Sequence, residues 1–218
     1  MSICMAISDV DWALTKDVFA VVGTVVSVLG VGLAFYVGLA GLATWSRQLK
    51  GASDHELSRK ALIELYRYRD VIEQARSPGM LGWEFKLSEE EVAGLTFVQK
   101  NHLERQKGYQ RRLDAIRQAR EPIHMTLLDS EAIWGKDLRE RYKALFKLQH
   151  EFFRYVELSF IASDPREDED DRRPYRDILK KRRNVMYDPP DEDGDEFRQE
   201  FNKSFMSVEG YLKAKLIR

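Results

Sequence analysis

The chain has 218 residues, 33% of them charged, and a formal net charge of −1. This near-neutral balance argues against a general nucleic-acid binder, which normally carries a strong excess of positive charge. Cys4 is the only cysteine, so an intrachain disulfide and a multi-cysteine metal site are excluded. The frequent Leu, Glu, Arg, Lys and Ala favour helices over strands, and we expect an all-α fold.

The first predicted element is a transmembrane helix. No residue from Val18 to Trp45 is charged, and as a helix the segment would extend about 40 Å, against about 30 Å for the hydrocarbon core of a bilayer. A buried core helix is rarely so long and so uniformly apolar. A cleavable signal peptide, for which Gly41 and Ala43 have the small-residue spacing, needs a basic start and a shorter apolar run. We therefore prefer an uncleaved, single-pass signal anchor at residues 18–45.

The charges on either side of this segment predict its orientation. In the short segment 1–17 only Lys16 is basic, whereas four basic residues follow the apolar run: Arg47, Lys50, Arg59 and Lys60. Because positive residues remain in the cytoplasm, we expect the N-terminus outside and the remainder of the chain in the cytoplasm.

Small residues recur along one face of the apolar helix. Gly30, Ala34 and Gly38 are spaced by four residues, and such a stripe allows two helices in a membrane to approach closely. Glycine is common in membrane spans in any case. The stripe therefore predicts that the protein forms a homo-oligomer. The bilayer itself is the other predicted partner.

Residues 46–218 are predicted to form a cytosolic helical bundle. Ser53 and Glu56 have the spacing of a capping box, which predicts a helix start. The helix would end before Ser77, and one face of it is apolar: Leu57, Ala61, Leu65, Tyr68, Ile72 and Ala75. In the irregular connection that follows, we expect Trp83 and Phe85 to pack on the bundle.

A long helical hairpin is predicted next. A capping box at Ser88 and Glu91 would start its first helix, which contains Pro122, ends near Gly135 and has a coiled-coil-like heptad phase: Tyr109, Leu113, Ile116, Ile123 and Leu127. The second helix has its own apolar face: Leu138, Tyr142, Leu145, Phe152 and Val156. Two antiparallel helices joined by a tight turn would bury both faces.

The last part of the bundle contains two charged loops, at about 163–175 and 188–195. Between them we expect a short helix with Pro174 in its first turn. A final helix has an apolar face of five residues: Phe197, Phe201, Phe205, Val208 and Leu212.

Three strings occur in this order: ELYRYRDVIEQARSP, LLDSEAIWGKDL and DEFRQEFNKSFMSVEGYLKAKL. Together they resemble a widespread set of uncharacterised bacterial proteins that have a single membrane span and a cytosolic helical domain. EAIWG is the most specific of the shared patterns. The resemblance implies an inner-membrane location, and it implies no activity and no catalytic or binding residue.

Two patterns suggest metal sites, and neither is complete. Glu121 and His124 have the spacing found in di-iron helical bundles, but no other histidine follows a glutamate by three residues. Four residues fit positions of a calcium loop, namely Asp191, Asp193, Gly194 and Glu200, but Pro189 occupies the first position and offers no side-chain ligand. We expect no metal and no cofactor.

Basic residues form two clusters in the predicted bundle. One lies between Lys100 and Arg120, and the other consists of Lys180, Lys181, Arg182 and Arg183. A solvated helix face is the simplest interpretation of both. The functional alternative for both is contact with anionic lipid headgroups, to which Arg47 and Lys50 would contribute. Nucleic acid is a weaker alternative.

The sequence supports three functional hypotheses. The first is a membrane-tethered interaction or scaffold module that is not an enzyme and binds an unidentified protein. The second is a membrane effector, for example in defence against phage, that assembles through its span and perturbs the bilayer. The third is a hidden hydrolase or metal enzyme, for which no catalytic motif argues.

Overall fold

The computed structural model describes residues 9–188 and 195–217, except for the side chains of residues 9–13 and 43. All regular elements in these ranges are helices, which confirms the all-α class. There are six: α1 (Asp9–Arg76), α2 (Glu89–Val92), α3 (Phe97–Trp134), α4 (Asp137–Ala162), α5 (Glu169–Lys180) and α6 (Glu196–Leu216).

The chain divides into two compact units, Met1–Ser53 and Asp54–Arg218, and α1 contributes to both. The prediction that a helix starts at Ser53 was wrong, because Ser53 lies inside α1. A capping box acts only where the preceding residue leaves the helical conformation. Here the residues before Ser53 are already helical.

The first unit contains a helix that is long and apolar enough to cross a membrane, by length and composition. Its most apolar window has a mean hydropathy of 2.4, and none of that window is buried. The described side chains from residue 14 to residue 50 are all exposed.

The second unit has a continuous apolar core to which α1, α3, α4 and α6 contribute. Each predicted apolar face from residue 57 onward is buried, which confirms the periodicity as the main signal of the fold. The largest fully buried side chains include five aromatic residues: Tyr68, Tyr109, Tyr142, Phe152 and Phe197.

The connection between α1 and α3 differs from the prediction. Ser88 and Glu91 form the predicted capping box, but the helix they start, α2, has only four residues. Gly94 then adopts a φ of 77°, in the left-handed region that glycine tolerates, and interrupts the helical path. A second capping box, at Thr96 and Gln99, starts α3.

The ends of α3 and α4 follow the sequence signals closely. Pro122 lies inside α3, as predicted, and Gly135 caps its C-terminus with a φ of 75°. After Lys136 the chain enters α4 directly.

Trp83, in the connection between α1 and α2, was expected to pack on the bundle but is 59% exposed.

The predicted loop at 163–175 is shorter in the structure, because α5 begins at Glu169 and Pro174 is its sixth residue. Three acidic residues in the first turn of α5 interact favourably with the positive end of the helix dipole, which offsets the hydrogen bond that Pro174 cannot donate. The second predicted loop, together with the calcium-loop candidates Asp191, Asp193 and Gly194, lies mostly outside the described residues.

Candidate functional site

The predicted self-association face of the apolar helix is open. Gly30, Ala34 and Gly38 are exposed on α1. A Cβ atom added at Gly30 or Gly38 would have no neighbouring atom within 4 Å. The face is therefore available to a lipid or to another helix.

Most of the basic residues predicted to contact lipid are accessible. Arg47 and Lys50 are exposed on α1, and Lys181 and Arg182 are exposed just after α5. Lys180 is exposed as well, although its ammonium lies 3.2 Å from the carboxylate of a neighbouring residue on α5. All five of these basic side chains are exposed to solvent.

Arg183 has a different environment from its neighbours. Its guanidinium donates to both carboxylate oxygens of Glu151, at 2.7 and 2.8 Å, and to Glu200 at 2.9 Å. The hydrogen bonds with Glu151 and Glu200 raise the pKa of Arg183. Arg183 thus links α4 to α6, and its charge is already balanced within the protein.

Most residues of the basic stretch between Lys100 and Arg120 have partners within the protein. Three of its seven basic residues pair with nearby carboxylates, Lys100 with Glu104, Lys107 with Glu91 and Arg117 with Asp114, while Arg120 donates to the imidazole of His124. Arg111 and Arg112 bind the connection that precedes α2. Arg105 differs, because its only hydrogen bond to a described residue goes to the hydroxyl of Tyr187, at 3.1 Å.

A buried ion pair fixes the connection between α1 and α2. Arg112, 5% exposed, donates to Glu84, 2% exposed, with 2.6 Å between Nε and Oε1. Arg112 also donates to the carbonyl oxygens of Ser77 at 2.7 Å and Gly79 at 2.5 Å. The hydrogen bond from Arg112 lowers the pKa of Glu84. Each charge therefore compensates the burial of the other.

The side chain of Arg111 holds the same connection through hydrogen bonds to the backbone of that connection. It donates to the carbonyl oxygens of Trp83 at 3.0 Å and Lys86 at 2.6 Å, and to that of Glu84. The side chains of Leu81 and Trp83 are nevertheless 56% and 59% exposed. Two apolar side chains thus project into solvent from a firmly held backbone.

A second buried arginine fixes the C-terminal end of α1. Arg76 is 2% exposed and donates to the carbonyl oxygens of Val185 at 2.9 Å and Tyr187 at 3.0 Å. It also forms an ion pair with Asp195, the N-cap of α6, and lies 4.3 Å from the ring centre of Phe197. Arg76 therefore joins α1, the segment after α5, and α6.

The described residues contain no group of three His, Cys, Asp or Glu side chains that is suited to a metal ion. In the candidate pair, His124 Nε2 lies 2.9 Å from the Nε of Arg120, and the imidazole stacks on Phe146 with ring centres 5.5 Å apart. Glu121 is exposed to solvent. This arrangement positions His124 for packing.

A cleft lies between the start of α3, the end of α4 and the segment that follows α5, and the buried nitrogen of His102 lies beside it. We refer to it as the α3 cleft. It has a volume of about 390 Å³ and is lined by ten residues: Phe97, Val98, Asn101, His102, Arg105, Ser159, Phe160, Ser163, Pro165 and Met186. The capping box at Thr96 fixes the first turn of α3 and so positions one wall of the cleft.

The polar groups of the α3 cleft favour binding over nucleophilic chemistry. Ser159 donates to the carbonyl oxygen of Tyr155 at 2.8 Å, and Ser163 donates to that of Ser159 at 2.7 Å. The Nε2 atom of His102, in contrast, is buried and has no hydrogen-bond partner among the described residues. Burial lowers the pKa of His102, which favours the neutral imidazole at pH 7.

A second unusual polar group lies inside the bundle. Glu64 is 7% exposed, and its Oε2 has no hydrogen-bond partner among the described residues. Thr126, 2% exposed, is near enough to Glu64 to lower the pKa of that carboxyl. Burial raises the pKa of Glu64, against smaller opposing effects of Thr126 and Lys60. The burial of this carboxyl therefore bears on the stability of the domain.

The chain matches no protein-family model, no curated protein and no solved structure. The roles of its residues therefore rest on the geometry described above.

Sequence reasoning missed the arginine clamps and the α3 cleft. Arg76 follows Ile72 by four residues and so extends the apolar face of α1, which is a signal that the arginine is buried. His102 and Arg105 share one face of α3, but the sequence does not distinguish Arg105 from the paired arginines around it. Only the positions of the partner groups in the fold make that distinction.

Proposed function

We propose that the protein is a membrane-anchored helical interaction module that crosses the membrane once. The observation that carries this proposal is the exposure of the apolar part of α1. Sixteen large apolar side chains between Val18 and Trp45 are exposed. At about 1.5–3 kcal/mol for each such side chain, their exposure to water would cost more than about 20 kcal/mol. A domain is stable by only about 5–15 kcal/mol, so the segment requires an apolar environment.

A bilayer is the environment that suits this segment best. A helix satisfies its own backbone hydrogen bonds, which the interior of a membrane demands. The hydroxyls of Thr24, Ser27 and Thr44 donate to the carbonyl oxygens four residues earlier, so these polar side chains are satisfied as well. The excess of basic residues after the span supports a cytoplasmic location for the domain, at the inner membrane of a bacterium.

The domain that follows is proposed to contain an antiparallel hairpin of α3 and α4. Five side-chain contacts between these helices support it: Glu131 with Arg139, His124 with Phe146, Arg117 with Phe153, Tyr109 with Phe160, and His102 with Phe160. As the position on α3 moves toward its N-terminus, the contact on α4 moves toward its C-terminus. Antiparallel helices have this pattern of contacts.

The interaction role is supported by the connection between α1 and α2. Leu81 and Trp83 are exposed there, while Arg111 and Arg112 hold the backbone. A rigid segment that presents an aromatic side chain loses little conformational entropy on binding, and tryptophan is enriched among the residues that contribute most to protein interfaces. We propose that this connection contacts a protein partner.

A second candidate function is a membrane effector that assembles through its span. The open face at Gly30, Ala34 and Gly38 supports it, because small residues permit close helix packing in lipid. Replacing all three residues with leucine should abolish both self-association and any toxicity on overexpression. Toxicity that persists after these replacements contradicts the effector role.

Fractionation of expressing cells tests the proposed anchor. The full chain should sediment with membranes and resist extraction by alkaline carbonate. The double substitution Val25→Lys and Leu33→Lys places two charges at exposed positions of the span and should release the protein, whereas Met206→Lys, at an exposed position of α6, should not. Release of the unchanged protein by carbonate contradicts a transmembrane anchor.

A further inference from the structure

The α3 cleft combines apolar walls with a few polar groups, which is typical of small-molecule sites. Phe97 and Val98 form part of its rim and are 78% and 62% exposed, although both are strongly apolar. Phe160 and Met186 are buried and contribute to its inner wall. A ligand in the cleft would remove the two exposed side chains from water.

The buried nitrogen of the cleft has no hydrogen bond within the described protein. His102 Nε2 is shielded from solvent, and a buried polar atom without a partner costs about 1–3 kcal/mol. The ring is held edge-on against Phe160, with 5.7 Å between ring centres. A ligand oxygen that accepts a hydrogen bond from Nε2–H would recover part of this cost, provided that the imidazole ring turns toward the cleft.

Arg105 determines the charge of the expected ligand. It lies one turn after His102 on the same face of α3, and no carboxylate of a described residue lies within ion-pair distance of it. The nearest acidic group recorded for His102, Asp164, is already bound by Arg166, with 2.6 Å between Nη2 and Oδ2. The cleft therefore has one uncompensated positive charge beside apolar walls.

We infer that the α3 cleft is a binding site for a small organic anion with an apolar body. The anionic group pairs with Arg105 and, after the imidazole ring turns toward the cleft, accepts a hydrogen bond from His102 Nε2–H, while the body packs against Phe97, Val98 and Phe160. At about 30 Å³ for each water-sized unit, a cleft of about 390 Å³ accommodates on the order of a dozen non-hydrogen atoms. The site is formed within residues 97–186 and does not depend on the membrane proposal.

Binding can be measured with 4-phenylbutyrate as the probe, by isothermal titration calorimetry on the full chain in lipid nanodiscs. Empty nanodiscs serve as the blank for partition into lipid. The isosteric amide, 4-phenylbutanamide, is the neutral control for the ligand. We expect the carboxylate to bind at least about tenfold more tightly than the amide, because a hydrogen bond to a charged group contributes about 1.5–3 kcal/mol.

Variants of the protein assign the binding to this cleft. Arg105→Gln should weaken 4-phenylbutyrate binding at least about tenfold, and Arg105→Lys should retain most of the affinity. Val98→Glu, which adds a negative charge to the rim, should weaken it as well. Arg182→Gln removes an exposed arginine that does not line the cleft and should leave the affinity unchanged.

Three results would overturn the inference: no binding of the probe at millimolar concentration, equal binding of the acid and the amide, or full affinity in Arg105→Gln. Arg105 and Val98 are exposed, so their substitution should not unfold the domain. Near-ultraviolet circular dichroism checks this for each variant, and Arg105→Lys distinguishes loss of charge from loss of structure.

Discussion

The two units of this chain use their apolar residues in opposite ways. In the first unit the apolar side chains of α1 are exposed around the whole helix, as Leu33 is at 70%. In the second unit the same helix buries one face, as Leu65 does at 0%. A helix segment that is apolar on every side needs an apolar environment beyond this chain. A helix segment that is apolar on one face only can bury that face against the rest of the chain.

The two units also differ in where their charged residues lie. The first has no charged residue between Val18 and Trp45, while the second buries Arg76 and Arg112 in its interior. These arginines are tolerated because carbonyl oxygens and carboxylates surround them. The interior of the second unit therefore contains polar clamps as well as an apolar core.

Removal of one clamp should give the largest loss of stability. Arg112→Met leaves Glu84 buried and without its partner, and we expect the free energy of unfolding of the domain to fall by about 3–5 kcal/mol. Urea denaturation of the full chain in detergent, followed by near-ultraviolet circular dichroism, measures this change.

Arg154→Gln is the matched control for Arg112. Its partner, Glu157, lies on the same helix and both side chains are about half exposed, so the change should stay within about 0.5 kcal/mol. A small effect at Arg112 would mean that the clamp does not support the fold.

A pair of leucine substitutions on α1 tests the contrast between the units directly. Leu65→Ala should reduce the free energy of unfolding by about 2–5 kcal/mol, because it removes a fully buried side chain from the core. Leu33→Ala on the same helix should not change the unfolding of the domain. The same denaturation experiment compares them, and an equal loss for both would contradict the division into two units.

The smallest expected effect concerns the buried carboxyl of Glu64. Its folded-state pKa is raised by burial, with a smaller contribution from Asp129, while Thr126, Lys60 and Arg67 oppose the shift. A raised carboxyl pKa destabilises the folded state above that pKa, because both states are then ionised and the folded one carries the cost of burial. Below the unfolded-state pKa this cost disappears.

Glu64→Gln should therefore stabilise the domain at neutral pH, and the gain should shrink as the pH falls through the acidic range. Thermal unfolding at pH 7 and pH 4 measures the difference. Glu140→Gln, at an exposed position on α4, should show no such pH-dependent gain. A Glu64→Gln gain that is equal at both pH values would show that charge burial is not its cause.

The sequence predicted the parts of the fold that depend on repeated signals. The apolar faces of α1, α3, α4 and α6 were correct because each repeats over several turns, and Gly135 was correct because few residues tolerate its φ. Single local signals were less reliable. Ser53 has the spacing of a helix start but lies within α1, and Pro174 lies in the interior of α5.

The candidate site was not predictable in the same way. Arg105 and Arg112 belong to one basic stretch, yet one lines an open cleft and the other is 5% exposed. What separates them is the fold of the connection that carries Glu84, since it brings a carboxylate and several carbonyl oxygens to Arg112 alone. Such long-range pairing leaves no periodic trace in the sequence.

The central claim is that α1 crosses a membrane with the domain on the cytoplasmic side, and labelling of single cysteines tests it most directly. Cys4 is the only native thiol, and a variant that combines Cys4→Ser with Met206→Cys moves it to an exposed position on α6. In intact spheroplasts of a bacterial host, a membrane-impermeant maleimide should label Cys4 of the unchanged chain. The variant should be labelled only after lysis. Labelling of the position-206 thiol in intact spheroplasts, or of Cys4 only after lysis, would contradict the proposed topology.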